Sequence, residues 1–123
     1  MRLERRSMPN RLPKHLFDAL TAVRLAREFS AGLSFDGLVS NVLVRSAIER
    51  QLEILGEACQ RAVQADPNIR QRLPEVAFAI GLRNKIIHGY DRIENVVVYD
   101  TLVHDLPVLE QRLVQELAEQ PPP

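Results

Sequence analysis

Val44, Ile48, Leu52, Leu55, Cys59 and Ala62 recur at spacings of 4, 4, 3, 4 and 3. That rhythm draws one apolar stripe along about five turns of helix and predicts a buried face. Arg45, Glu49, Arg50, Glu53, Glu57 and Arg61 fill the other side. Glu57 precedes Arg61 by four residues, the favourable order for an ion pair on a helix surface. Upstream, Leu16, Leu20 and Val23, with Phe17, Ala19, Ala22 and Ala26 beside them, predict a first helix over 13–29. Ala31-Gly32-Leu33-Ser34 is the turn that ends it, glycine supplying the backbone freedom.

Asp66-Pro67-Asn68 stops the long helix, and a short helix or turn reaches Leu73. Pro74 suits the first turn of the next helix, which runs to His88 with Gly89 as its left-handed cap. Asp91-Arg92-Ile93-Glu94 has capping-box spacing, Asp91 as N-cap and Glu94 reaching back, and opens a last helix to about Gln120. Val96-Val97-Val98-Tyr99 has strand propensity but no partner to pair with. Pro107 should kink or break the last helix near Asp105. The expected fold is all-α: an antiparallel bundle of four main helices plus a short one.

Composition adds few constraints. With 123 residues, 46% hydrophobic and 26% charged, the chain is long enough for one domain with its own core. Sixteen basic and sixteen acidic residues cancel, so overall charge argues neither for nor against nucleic acid. The start is uneven: Arg2, Arg5, Arg6, Arg11 and Lys14 stand against Glu4 alone in residues 1–15, an arm that could meet phosphate. Residues 1–12 are expected to form a basic flexible arm, 13–120 the helical domain and 121–123 a disordered tail. Cys59 has no partner for a disulfide or a zinc site and reads as a small buried residue. No stretch is apolar enough to span a membrane, and arginines and prolines interrupt any signal-peptide core, so the cytoplasm is the expected compartment.

Candidate chemistry concentrates in RNKIIHGY, Arg83 to Tyr90. Ala79, Leu82 and Ile86 share the core-facing side of this helix, while Asn84 and His88 lie one turn apart nearly opposite, above Ala77 and Gly81. Ile80 and Ile87 widen the apolar arc beyond what one core needs and suggest a second surface, most simply another copy of the chain. Arg83 and His88 point about 140° apart on a regular helix. They converge only if the helix ends at His88 or the arginine swings round. Asn84 can hydrogen-bond the imidazole and fix its tautomer for acid–base work. A histidine near a helix C-terminus is equally a favourable dipole partner, and an arginine beside it a solvated charge.

The pattern Arg-Asn-x-x-x-His-x-Tyr on Arg83, Asn84, His88 and Tyr90 resembles that of the HepT-like toxins, a branch of the HEPN superfamily of helical ribonucleases. Gly32-Leu33-Ser34-Phe35, the stretch Arg50 to Ala58, Gly81-Leu82 and Asp105-Leu106-Pro107 agree with it in order, so the likeness spans residues 13–117. The family often carries a tryptophan just after the proline matching Pro74, and this chain has none; its Pro74–Arg83 stretch is also one residue longer than expected. The resemblance implies a HEPN-like bundle and a toxin that cuts RNA without a metal or cofactor. Arg83, Asn84 and His88 would form the catalytic set, shared across a homodimer interface. It further implies an MntA-like nucleotidyltransferase antitoxin that transfers AMP to Tyr90.

Two other readings use the same residues. One is a non-catalytic helical dimer that docks a nucleotidyltransferase and holds its nucleotide near Arg83. The other is a metal enzyme built on Glu53, Glu57 and His88, although that face alternates with arginines like a salt-bridge surface. His15 and His104 stand apart from any cluster and receive no role.

Overall fold

The structure, a computed structural model, describes residues 10–88 and 94–121. Helix α1 spans Leu12–Phe29, α2 Phe35–Ser40, α3 Val42–Ala65, α4 Ile69–Arg72 and α5 Glu75–His88. Helix α6 is Asn95–Asp100, and it passes through a π-helical turn, Thr101–Asp105, into α7, Leu106–Ala118. Among the described residues there is no strand. The molecule is therefore all-α, with α1, α3, α5 and the α6–α7 run as its four main helices. Two short helices accompany them where one was expected.

The additional one is α2, and its cause is local. Gly32 adopts φ +71, which turns the chain out of α1. The Ser34 hydroxyl then accepts the Gly37 N–H at 2.9 Å, and the Asn41 side chain accepts the Val44 N–H at 3.0 Å. Two N-caps seven residues apart on the chain thus start two helices in succession. Arg45 donates to the carbonyls of Leu38 and Val39, closing the end of α2 onto α3.

Helix α3 is the axis of the bundle, packed against α1 on one side and α5 on the other. The predicted stripe faces inward: Ile48, Leu52, Leu55, Cys59 and Ala62 are buried, and Val44 packs at the core's edge. Leu16, Leu20 and Val23 meet it from α1, Val76, Ala79 and Leu82 from α5, and Leu106, Leu109 and Leu113 from α7. Each fully buried leucine contributes about 1.5–3 kcal/mol of transfer free energy. Phe17 departs from expectation, standing 58% exposed. On the helical wheel it falls about 140° from the centre of the α1 stripe, so packing cannot reach it.

The second half of the chain needs two further corrections. Glu94 is the N-cap residue of α6, in extended backbone with no side-chain cap bond, and not a member of the first turn. Asp91 and Gly89, the other capping residues expected here, lie outside the described residues. Val96–Tyr99 is helical despite its β-branched run: Val98 is buried, and the Tyr99 ring packs edge-on against Phe35 at 5.7 Å. Tertiary packing outweighs the propensity. Pro107 produces no break. The turn before it widens to π geometry, and the proline sits at the first turn of α7, where no N–H is required.

Candidate active site

Val76, Ala79 and Leu82 bury one side of α5, which fixes its rotation about its own axis. Ile86 packs partly buried at the edge of the same face. Arg83 is then turned toward α3, and the two helices approach unusually closely at Gly56. A Cβ on Gly56 would overlap Arg83 Cβ and lie 2.7 Å from the Ala79 carbonyl oxygen. The arginine's aliphatic stem crosses α3 over this glycine.

Its guanidinium is held from three directions. One terminal nitrogen donates to Glu57 Oε2 at 2.9 Å; the other donates to Gln60 Oε1 at 3.3 Å and Asn84 Oδ1 at 3.2 Å. Glu57 uses its second oxygen for Arg61, at 3.2 Å, so the ion pair expected along α3 forms and is extended across to α5. Arg83 is only 23% exposed, which leaves it one accessible flank. That flank opens on a groove of about 240 Å³ shared by Arg50, Glu53, Ile54, Glu57 and Ile87.

Helix α5 runs through His88, which is exposed at its end. Asn84 lies one turn before it, and its amide oxygen accepts from Arg83. The three residues expected to act together thus share one helix end, with Arg83 leaning to α3. Tyr90 lies outside the described residues. Ile80 is partly buried against the core, whereas Ile87 is 42% exposed.

Glu57, Gln60 and Gly56 are the contributors that local sequence reading overlooks, because they act on Arg83 from another helix. The available signal was Gly56 itself, a residue costing roughly 1 kcal/mol in a helix interior, placed on the flank of a strong stripe. The carboxylates of the metal reading are engaged otherwise: Glu53 pairs with Arg50 at 3.0 Å, and Glu57 with Arg61 and Arg83. Among the described residues, no three His, Cys, Asp or Glu side chains gather as a metal site would require. Cys59 is sealed in the core, and burial pushes its thiol up to about 12.

Fold and site together define an all-α bundle whose distinguishing feature is a braced arginine beside a histidine at one helix end. The sequence pattern of the family described as "Ribonuclease HepT-like" matches residues 19–116. The chain is 25% identical to "Putative RNase MJ0125" of Methanocaldococcus jannaschii, covering 91% of this chain and 99% of the relative. It is 30% identical to "Putative RNase MJ1380" of the same organism, over 80% of this chain and 89% of that one. It is 31% identical to "Probable ribonuclease HepT" of Thermococcus cleftensis, over 78% and 86% respectively. No solved structure matches the chain. The chain belongs to the HepT-like ribonuclease family. Among the described residues, no helix is long and apolar enough to cross a membrane.

Proposed function

We propose that the protein is the toxin of a toxin–antitoxin pair, an endoribonuclease that cleaves RNA without a metal ion. Arg83 and His88 carry the chemistry. The observation that supports this most is the bracing of Arg83 by Glu57, Gln60 and Asn84 on the helix that ends in His88. A guanidinium fixed before substrate arrives stabilises charge developing on phosphate oxygens without reorganising during the reaction.

The ribose 2′-hydroxyl attacks the adjacent phosphorus as a base removes its proton. The P–O5′ bond breaks, and an acid protonates the leaving oxygen. The products are a 2′,3′-cyclic phosphate and a 5′-hydroxyl. His88 fills one of the proton-transfer roles, worth about 10²–10⁴-fold in rate. With its oxygen on Arg83, Asn84 keeps an NH₂ group to present to the imidazole one turn away. One histidine cannot serve conveniently as acid and base in the same step. A homodimer pairing two α5 ends across a cleft supplies the second histidine, and exposed Ile87 gives it an apolar contact.

The partner that silences the toxin is an MntA-like nucleotidyltransferase, which transfers AMP to Tyr90. The added phosphate can pair with Arg83 and withdraw it from RNA.

The test is RNA cleavage by purified protein in excess chelator. Wild type cleaves, and His88→Ala and Arg83→Ala each lose at least about 10²-fold while keeping their helical content. Co-expression with the nucleotidyltransferase adds AMP to wild type and not to Tyr90→Phe. Full activity in His88→Ala, or equal AMP on Tyr90→Phe, contradicts these assignments.

A further inference from the structure

The groove beside Arg83 shares two of its lining residues with a second groove. Ile54 and Glu57 line it on one side and also line a larger groove, about 570 Å³, between α1 and α3. Here the start of α1 lies against the later turns of α3. Arg11 and Lys14 from the one and Arg61 from the other converge on His15. Burial lowers the His15 pKa most, and Lys14, Arg61 and Arg11 lower it further against an opposing effect of Asp18. The imidazole is therefore neutral near pH 7, and the positive charge belongs to the three long side chains.

Two of these cations already have carboxylate partners, Lys14 with Asp18 at 2.7 Å and Arg61 with Glu57 at 3.2 Å. Both are exposed pairs one helical turn apart, weak enough for a phosphate to replace the carboxylate. Phe17 lines the same groove and is 58% exposed. A large ring left in water beside converging cations combines the two features of a single-strand groove: a platform for one base and charges for the backbone.

We propose that this groove binds single-stranded RNA, seating the strand that leads away from Arg83, with phosphates on Arg11, Lys14 and Arg61 and one base stacked on Phe17. The proposal rests on the ribonuclease reading for its substrate, but not on catalysis. Gln51 and Arg61 both line the groove, and ten residues of helix separate them by about 15 Å. That length suits roughly four nucleotides, the short end of the range for such grooves. A duplex would hide the base faces that Phe17 requires, so the strand must be unpaired.

The experiment measures binding of a short 5′-labelled single-stranded RNA by fluorescence anisotropy, in the His88→Ala background so that nothing is cut. Replacing Arg11, Lys14 and Arg61 together by Gln should weaken binding at least about tenfold. It should also lower the log–log salt slope by about 2, at roughly 0.7 per phosphate contact. Phe17→Leu should cost about tenfold, whereas Phe17→Trp should bind as well as the parent, which separates stacking from damage to the fold. An RNA duplex or polyglutamate should compete poorly. Unchanged binding in the triple variant or in Phe17→Leu overturns the proposal, as does effective competition by duplex or polyglutamate. If the triple variant in an otherwise wild-type chain binds and cleaves normally, the groove fails and the ribonuclease reading stands. If the groove variants lose RNA while wild type cleaves nothing, the groove stands and the ribonuclease reading fails.

Discussion

Gly56 decides whether Arg83 can occupy its place. Any Cβ there would collide with the arginine's stem and with the Ala79 backbone, and backbone cannot yield as a flexible side-chain tip would. Gly56→Ala should therefore destabilise the protein by about 1–3 kcal/mol through overpacking, despite alanine's better helix propensity, and should displace Arg83 and lower cleavage with it. Gly81 provides the control. A Cβ there meets nothing within 4 Å, so Gly81→Ala should stabilise by about 0.4–1 kcal/mol. Thermal unfolding of the two variants checks both signs, and an equal response from both would contradict the close-approach account. At this scale the sequence was only half informative. Arg83, Asn84, His88 and Tyr90 stand out in eight consecutive positions, but Gln60 and Glu57, which brace Arg83 from α3, lie 23 and 26 positions away. No local pattern links them. The link is made by the rotation of α5 about its axis.

Element by element, the long stripes were legible because each repeats over several turns. The structure starts α1 and ends α3 within a few residues of the expected limits. Six residues of α2 offer no such repeat, and only the paired caps Ser34 and Asn41 could have marked it. The π-helical turn before Pro107 is invisible to a fixed period for the same reason. Helices α1 and α7 are also joined by charge: Arg24 and Arg27 meet Glu110 at 3.2 and 2.7 Å. The Arg27 hydrogen bond chiefly, with Arg24 adding to it, holds the Glu110 carboxyl below its usual 4.5 despite an opposing effect of burial. The folded pKa is the lower one, so this stabilisation is complete above the unfolded value and disappears as pH falls through the folded value. Wild type should exceed Glu110→Gln by roughly 1 kcal/mol or less at neutral pH. The difference in Tm should close progressively below about 4.5. A gap that persists in acid would show that the contact stabilises by packing and not by charge.

For the whole molecule, the balance of sixteen basic and sixteen acidic residues conceals how unevenly charge is placed. Arg11, Lys14 and Arg61 line the α1–α3 groove with Asp18 and Glu57 between them, and Ile87 stands exposed beside Arg83. In the proposed two-fold contact at the end of α5, Ile87 would leave water, which favours association without setting its strength. Ile87→Glu should convert a dimer to a monomer in sedimentation and reduce cleavage in proportion. A monomeric wild type at micromolar concentration would contradict this arrangement.

In the proposed reaction, RNA is cut by its own 2′-hydroxyl under the control of Arg83 and His88. The most direct test is the chemistry of the cut ends after incubation with purified protein in excess chelator. Wild type should leave a 2′,3′-cyclic phosphate and a 5′-hydroxyl, and His88→Ala neither. A 5′-phosphate with a 3′-hydroxyl would contradict it, and so would cleavage that His88→Ala performs equally well.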